Sequence, residues 1–264
     1  QSSDFEQKAL AFVGASGRVT RWIGTTIPVE LFVDLSEPAR KMVSGLAGTA
    51  IAVEISILKG RLFISCLSTE NDMPTLRNQV ENSVRFVLNS FGFLNGLWID
   101  IDLRYVVEND NSLASFSTGN EAVRINTSKF SLNFNELAVL CMCPYLDFAI
   151  SDYSNALRVA LDTGFFCYRA VEAVMQSFKV RSMTSKDSQA WSAMNKSLNL
   201  QSSYVMNLIK PLADPRRHAD PTFTITDSER TACLIACSNV IYRYAKFLQI
   251  KESDLKVSDY PILQ

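Results

Sequence analysis

The sequence is poor in the residues and motifs on which most enzyme classes depend. Its 264 residues include a single histidine, His218. They contain no P-loop, no dinucleotide-binding glycine pattern and no nucleophile elbow, so nucleotide-driven and serine-hydrolase chemistries are disfavoured. No apolar run reaches the roughly 18 residues that a membrane-spanning helix needs, and the chain has no signal-like start. We therefore expect a cytoplasmic protein that does not enter a membrane.

Charge is also nearly balanced over the whole chain. The formal net charge is −1 and the sequence pI is about 6.0, which provides no global field to attract nucleic acid. Up to residue 128 the chain carries 11 Lys and Arg against 14 Asp and Glu, and the remainder carries 15 against 13. Any contact with phosphate is therefore expected to be local and to lie in the second half.

Six cysteines are present, nearly all inside apolar runs, where cysteine usually behaves as a small buried hydrophobe. Cys141 with Cys143, and Cys233 with Cys237, could be taken for zinc ligands, but their spacing lacks the knuckle pattern of zinc sites. We predict buried thiols, no disulfide framework, no metal and no cofactor. The six are Cys66, Cys141, Cys143, Cys167, Cys233 and Cys237.

The first half has the pattern of an antiparallel sheet with one packed helix. β-branched and aromatic residues predict strands, and Lys59-Gly60 has the length of a hairpin turn. Apolar residues at helical spacing predict a helix that Asn95-Gly96 ends. The predicted segments are a short helix or edge segment within 1–17, a strand over 18–33 bent near Gly24 or Pro28, a short helix or turn over 35–46, a hairpin of strands 50–58 and 61–67, a helix over 74–96, a strand over 97–108, a surface loop over 109–120 and a short strand near 123–125.

On the strand over 97–108, Asp100 and Asp102 are predicted to point to the same face. Two carboxylates at this spacing can hold a divalent cation, so a carboxylate–metal enzyme is one functional alternative. No third acidic residue accompanies them at a recognisable spacing, and Arg104 can offset their charge. We expect a solvated face of the sheet.

From about residue 135 the apolar spacing becomes helical and stays so. We therefore predict an α+β domain over 1–128 and an all-helical domain over 129–264. Thr226 and Glu229 have capping-box spacing at the start of the last helix. The predicted helices cover 135–143, 147–160, 163–179, 187–199, 202–212 and 226–249.

A polar elbow over 214–221 is predicted between two of these helices. It holds Arg216, Arg217 and His218 between two prolines, which would keep the polar side chains close together. Arginine matches phosphate oxygens, and histidine exchanges protons near neutral pH. The same residues also suit a plain helix-to-helix turn whose arginines pair with nearby acids.

Cleavage of RNA without a metal needs a base for the 2′-hydroxyl, an acid for the leaving oxygen and a cation for the transition state. Because one chain offers one histidine, a nuclease built on His218 would most naturally be a symmetric dimer. Tyr168, Arg169 and Glu172 on the helix over 163–179 could orient the site. Arg169 and Glu172 could equally form an ordinary surface pair.

These residues carry a resemblance to a known family. The segment Phe165–Glu172 (FFCYRAVE), Trp191 and Met194, the Arg-Arg-His elbow and the segment Val240–Tyr244 (VIYRY) resemble the helical core of bacterial HEPN-type proteins. The resemblance covers roughly residues 145–250 and implies a dimeric, metal-independent ribonuclease of a toxin–antitoxin or antiviral defence system, or a catalytically silent relative.

Active HEPN members carry an arginine several residues before the catalytic histidine, whereas here Arg216 and Arg217 directly precede His218. Of the catalytic residues of active HEPN members, only the histidine, as His218, and an adjacent arginine can therefore be assigned in this sequence. The function we expect is RNA binding or metal-independent RNA cleavage, with His218 as acid or base and Arg216 or Arg217 on the phosphate. The alternative is a non-catalytic helical module that assembles a larger complex, with the α+β domain recognising a partner.

Overall fold

The chain forms two compact units, Gln1–Thr118 and Gly119–Gln264, called here the N-terminal and C-terminal units. The computed structural model describes residues 4–14, 16–27, 38–44, 49–108, 111–115, 120–220 and 222–264. An antiparallel sheet with a long helix precedes an all-helical region, which confirms the predicted α+β fold class. In the described part of the chain, no helix is both long and apolar enough to cross a membrane.

The N-terminal unit is built on a six-stranded antiparallel sheet with the order β2-β3-β4-β1-β5-β6. Strands β3 and β4 form the predicted hairpin. Lys59 and Gly60 connect them with φ angles of 49° and 71°, as a two-residue turn that follows the strand twist requires. The elements are α1 (Asp4–Val13), β1 (Arg18–Ile27), β2 (Ala39–Ser44), β3 (Ala50–Leu58), β4 (Arg61–Ser68), α2 (Met73–Asn95), β5 (Asp100–Val107) and β6 (Leu113–Ser115).

Helix α2 covers one face of this sheet. The side chain of Asp72 caps its first turn by accepting a hydrogen bond from the N–H of Thr75 at 3.0 Å, and Gly96 ends it with φ 65°. Helix α1 packs over a corner of the opposite face, against Ala52 and Leu67. The main core between α2 and the sheet contains Trp22, Ile51, Val53, Ile55, Ile57, Leu62, Ile64, Cys66, Leu76, Val80, Val84, Leu88, Ile99, Ile101, Leu103 and Val106.

Three of the predicted segments have the wrong secondary structure. Where a surface loop was expected over 109–120, residues Leu113–Ser115 form strand β6, which pairs with β5. Where a helix or turn was expected over 35–46, residues 39–44 form strand β2, because they complete the hydrogen-bonding edge of β3. Where a strand was expected near 123–125, residues Glu121–Thr127 form helix α3. The side chain of Asn120 caps this helix by accepting a hydrogen bond from the N–H of Val123 at 3.1 Å. The predicted strand continuation over 28–33, and residues 35–37 and 45–46 of the predicted helix or turn, lie outside the described residues.

The C-terminal unit packs its helices around two central ones. Helices α6 and α10 contact each other, and α5, α7 and α9 pack against α6. The capping box predicted for α10 is confirmed: Thr226 Oγ1 accepts from the N–H of Glu229, whose carboxylate accepts from the N–H of Thr226. The helices are α3 (Glu121–Thr127), α4 (Phe134–Leu140), α5 (Pro144–Arg158), α6 (Thr163–Arg181), α7 (Asp187–Ser197), α8 (Ser203–Leu208), α9 (Lys210–Arg217) and α10 (Asp227–Gln249).

The elbow predicted over 214–221 is helical in its first half. Helix α9 runs to Arg217, and His218 is its C-terminal cap. Pro211 stands in the first turn, where its missing N–H would have no partner within the helix. Asp214 pairs with Lys210 four residues earlier and with Arg217 three residues later, and pairs at these spacings support a helix.

Candidate functional site

The candidate site depends on a close approach of α9 to α6. A Cβ atom built on Gly164 would lie 2.4 Å from the carbonyl carbon and 2.5 Å from the carbonyl oxygen of Leu212. Only a residue without a side chain permits this contact. The end of α9 is thereby held against the second and third turns of α6, where Tyr168 and Glu172 lie.

Arg217 is the residue of α9 that reaches this surface. Its guanidinium carbon lies 5.2 Å from the centroid of the Tyr168 ring, within the range of a cation–π contact. Its Nη1 atom is 3.6 Å from Oδ1 of Asp214, and 41% of its side chain is exposed. Asp214 also forms a shorter ion pair with Lys210. Arg217 is therefore held loosely, by a ring and by a carboxylate that has a second cation.

Glu172 lies one helical turn after Tyr168 and is half-buried. Burial raises the pKa of its carboxyl group, and Asp187 raises it further, while Arg217 and Arg169 oppose the shift. Burial also raises the pKa of the Tyr168 hydroxyl, with a further contribution from Glu172. Trp191 of α7 borders the same surface, with its ring centroid 6.3 Å from that of Tyr168.

His218 lies next to Arg217, and its side chain is exposed to solvent. Its N–H donates to the carbonyl oxygen of Asp214 at 3.0 Å, which ends the helix. Its imidazole makes no hydrogen bond or ion pair with any other residue that the structure describes. Pro221, the second proline of the predicted elbow, lies outside that part of the chain. The ring of His218 is open to a ligand.

The two adjacent arginines point to different places. Arg216 is directed to the start of α6, where its Nε atom lies 2.6 Å from Oδ1 of Asp162. This half-buried ion pair ties α9 to the loop before α6. The structure therefore brings Arg217, and not Arg216, to Tyr168 and Glu172.

Arg169 faces α5 instead of α9. Its Nε atom is 3.3 Å from Oδ2 of Asp152, and its guanidinium carbon is 5.6 Å and 6.0 Å from the ring centroids of Phe165 and Phe166. Burial raises the pKa of the Asp152 carboxyl group, and Arg169 partly offsets that effect. Arg169 acts on the candidate site only through its charge.

Two residues that shape this site, Lys210 and Asp162, were not identified from the sequence, whereas Asp214 is one of the acids expected to pair with the elbow arginines. Asp214 and Lys210 set the charge around Arg217, and Asp162 withdraws Arg216 from it. The spacing of Lys210, Asp214 and Arg217 was a usable signal, because ion pairs at these spacings are typical of a helix and argue against an elbow.

The two aspartates of β5 are already neutralised. Asp102 Oδ2 lies 2.5 Å from Nε of Arg104, as we expected for a solvated face of the sheet. Asp100 is instead buried and forms an ion pair with Arg85 of α2, which was not predicted. No group of three or more His, Cys, Asp and Glu side chains suited to a metal ion occurs among the described residues.

The cysteines are free thiols. Cys66, Cys167, Cys233 and Cys237 are buried, while Cys141 and Cys143 are partly exposed. Burial raises the pKa of Cys66 to about 12. Such a thiol is not a nucleophile near neutral pH.

Comparison with known proteins gives one match. No curated protein and no solved structure has significant similarity to the chain. Residues 134–249, which include α4 to α10 and the whole candidate site, match the family model described as the C-terminal domain of a domain of unknown function (DUF8168).

Proposed function

We propose that the C-terminal unit binds RNA and cleaves it without a metal ion, as a homodimer that joins the ends of two α9 helices. The observation that carries this proposal is the open imidazole of His218 beside the loosely held guanidinium of Arg217. The resemblance of this region to HEPN-type ribonucleases adds support, and on that resemblance we propose a role in a bacterial defence or toxin–antitoxin system.

The chemistry assigns one role to each side chain. The imidazole of His218 accepts the proton of the 2′-hydroxyl, whose oxygen then attacks phosphorus. The imidazolium of a second copy of His218 donates a proton to the departing 5′-oxygen, which leaves a 2′,3′-cyclic phosphate and a 5′-hydroxyl. Arg217 stabilises the negative charge that grows on the phosphoryl oxygens.

Arg217 can turn to a phosphate at small cost. Its ion pair with Asp214 is long, and Lys210 remains beside Asp214 when Arg217 leaves. Tyr168 keeps the guanidinium near the exposed end of α9 in the absence of RNA. Glu172 interacts electrostatically with Arg217, and Arg169 contributes only its charge. Arg216 positions α9 through its ion pair with Asp162.

A cleavage assay with chelator present tests this function. End-labelled RNA is incubated with the wild-type protein and the variants His218→Ala and Arg217→Ala, with Lys256→Ala as a control at an exposed cation elsewhere in the C-terminal unit. We expect cleavage by the wild type and the control only, with circular dichroism spectra and melting curves that match in all four. Equal cleavage by His218→Ala contradicts the proposal, as does an activity that disappears with chelator.

A second function, a non-catalytic module that assembles a larger complex, is favoured by two observations. Both arginines before His218 already have acidic partners, and apolar side chains in and after α4 are exposed, with Phe134 at 83% and Met142 at 84%. This alternative predicts that His218→Ala has no effect, while Phe134→Ser and Met142→Ser abolish self-association in sedimentation experiments.

A further inference from the structure

The face of the N-terminal sheet opposite α2 is only partly covered. Helix α1 packs on it near Ala52 and Leu67, and β1 and β4 expose alternate side chains on the rest of it in the described part of the unit. In β1, side chains alternate strictly between buried and exposed positions from Val19 to Ile27. The exposed set therefore forms one continuous surface, called here the open face.

Two aromatic rings stand at the centre of the open face. Ile23 of β1 lies directly opposite Phe63 of β4 on one side and Tyr105 of β5 on the other. Side chains paired in this way project from the same face. The exposed fractions are 46% for Phe63, 40% for Ile23 and 42% for Tyr105. With strands about 4.8 Å apart, the two rings are roughly 10 Å apart.

Arginines border the row formed by Phe63, Ile23 and Tyr105 on both sides. Arg21 and Arg61 lie two residues before Ile23 and Phe63 on antiparallel strands, so they flank the row on opposite sides, each about 7 Å along its strand. Both are exposed, and neither forms an ion pair with another residue in the described ranges.

Two acidic side chains that the structure describes near the row, Glu54 and Asp102, are already paired. Glu54 lies 2.8 Å from Arg40, and Asp102 lies 2.5 Å from Arg104. Among the described residues on this part of the face, Arg21 and Arg61 are thus the charged groups without an ion-pair partner. The net negative charge of the first 128 residues does not cancel them locally, because charges beyond about 10 Å are screened at ordinary salt.

This combination identifies the chemistry of the ligand. A purely apolar partner would leave Arg21 and Arg61 without a counter-charge, and an acidic peptide would leave the two rings with nothing planar to stack on. A nucleic-acid strand offers phosphates to the arginines and bases to the rings, but only when its bases are unpaired.

We infer that the open face binds single-stranded RNA, with bases stacked on Phe63 and Tyr105 and phosphates on Arg21 and Arg61. The choice of RNA over DNA rests on the proposed function, since cleavage at the C-terminal unit requires a 2′-hydroxyl. Binding at the sheet is otherwise a separate activity of a separate unit. Stacking tolerates different bases, so little sequence preference is expected.

Binding is measured by fluorescence anisotropy with a labelled oligouridylate of about 12 nucleotides, a length within the range of known single-strand sites. The full chain carries His218→Ala throughout, so that cleavage cannot destroy the probe. Phe63→Leu and Tyr105→Leu remove a stacking ring and keep an apolar side chain. Phe93→Leu, at an 87% exposed position of α2 in the same unit, is the matched control.

We expect each of the two face variants to weaken binding about tenfold, the usual effect of one lost stack, and the control to bind normally. Arg21→Gln and Arg61→Gln should each reduce the slope of log affinity against log salt by about 0.7, while Lys256→Gln should not. An oligouridylate annealed to its complement should compete poorly.

Unchanged affinity of both leucine variants overturns the inference and leaves the proposed cleavage function standing. Equal loss in Phe93→Leu, or tighter binding of oligothymidylate than of oligouridylate, also overturns it. If the face variants lose binding while the protein with His218 restored cleaves no RNA, the inference holds and the proposed function fails. Circular dichroism melts of every variant exclude loss of folding as the cause.

Discussion

Replacing Gly164 by alanine should weaken the C-terminal unit and displace α9. The added methyl group would lie 2.4 Å from the carbonyl carbon of Leu212, 2.5 Å from its oxygen and 2.6 Å from its Cβ. Two of these three atoms belong to the main chain, so no change of rotamer can relieve the overlap. Helix α9 must move away from α6, and Arg217 must move with it.

The magnitude follows from two opposing effects. Forcing an extra methyl group into a well-packed contact typically costs about 1–3 kcal/mol. Alanine is a better helix former than glycine by up to about 1 kcal/mol, and less of that gain applies at Gly164, the second residue of α6. We therefore expect a net loss of about 1–2 kcal/mol in the free energy of unfolding.

Urea denaturation followed by circular dichroism measures the loss, with Ser154→Ala as the control. Ser154 is an exposed residue of the neighbouring helix α5, so alanine there gains helix propensity and meets no obstacle. The control should unfold at the wild-type midpoint or above it. A Gly164→Ala protein as stable as the wild type would contradict this prediction, because it would show that α9 does not pack this closely on α6.

Three further outcomes are expected. Arg243→Met should lower the free energy of unfolding by about 2–4 kcal/mol, because buried acceptors lose their hydrogen-bond donor. The guanidinium of Arg243 donates to three main-chain carbonyls, including that of Pro261. An unchanged urea midpoint contradicts this prediction. Iodoacetamide near neutral pH should modify Cys66 only in unfolded protein, because burial raises its pKa to about 12; mass spectrometry of native and urea-treated samples checks it. Burial raises the pKa of Asp152, against the opposing effect of Arg169, so the folded state retains this proton to higher pH than the unfolded chain. Stability from this group is therefore lost as the pH rises above the unfolded value of about 4, and urea titrations of Asp152→Asn should show less of that loss than the wild type.

Local patterns were sufficient for much of the fold. The β3–β4 hairpin, α2 and α10 each carry their own boundary signals: Lys59-Gly60 for the turn, Asn95-Gly96 for the helix end and the Thr226–Glu229 box for the helix start. Such signals act between residues close in sequence, so they can be recognised without the tertiary structure. The structure confirms the predictions for these elements.

Strand β2 and helix α3 show where local reasoning ends. The residues of β2 have little β preference, and they are extended because their main chain completes hydrogen bonds with β3. Helix α3 has only seven residues and depends on its Asn120 cap and on packing against α10. Hydrogen bonding to the next strand in β2, and a side-chain cap with packing against a helix distant along the chain in α3, outweigh intrinsic propensity.

The order of a sheet followed by helices can be read from the sequence alone, which also predicts His218 and the adjacent arginines as candidates for phosphate chemistry. Which arginine lies beside Tyr168 follows only from the packing of the helices. Successive side chains on a helix point about 100° apart, so once Arg216 and Arg217 lie on α9 they cannot share a direction. Packing of α9 on α6 sends the first to Asp162 and the second to Tyr168, and that packing depends on contacts between segments about 50 residues apart, which no local pattern records.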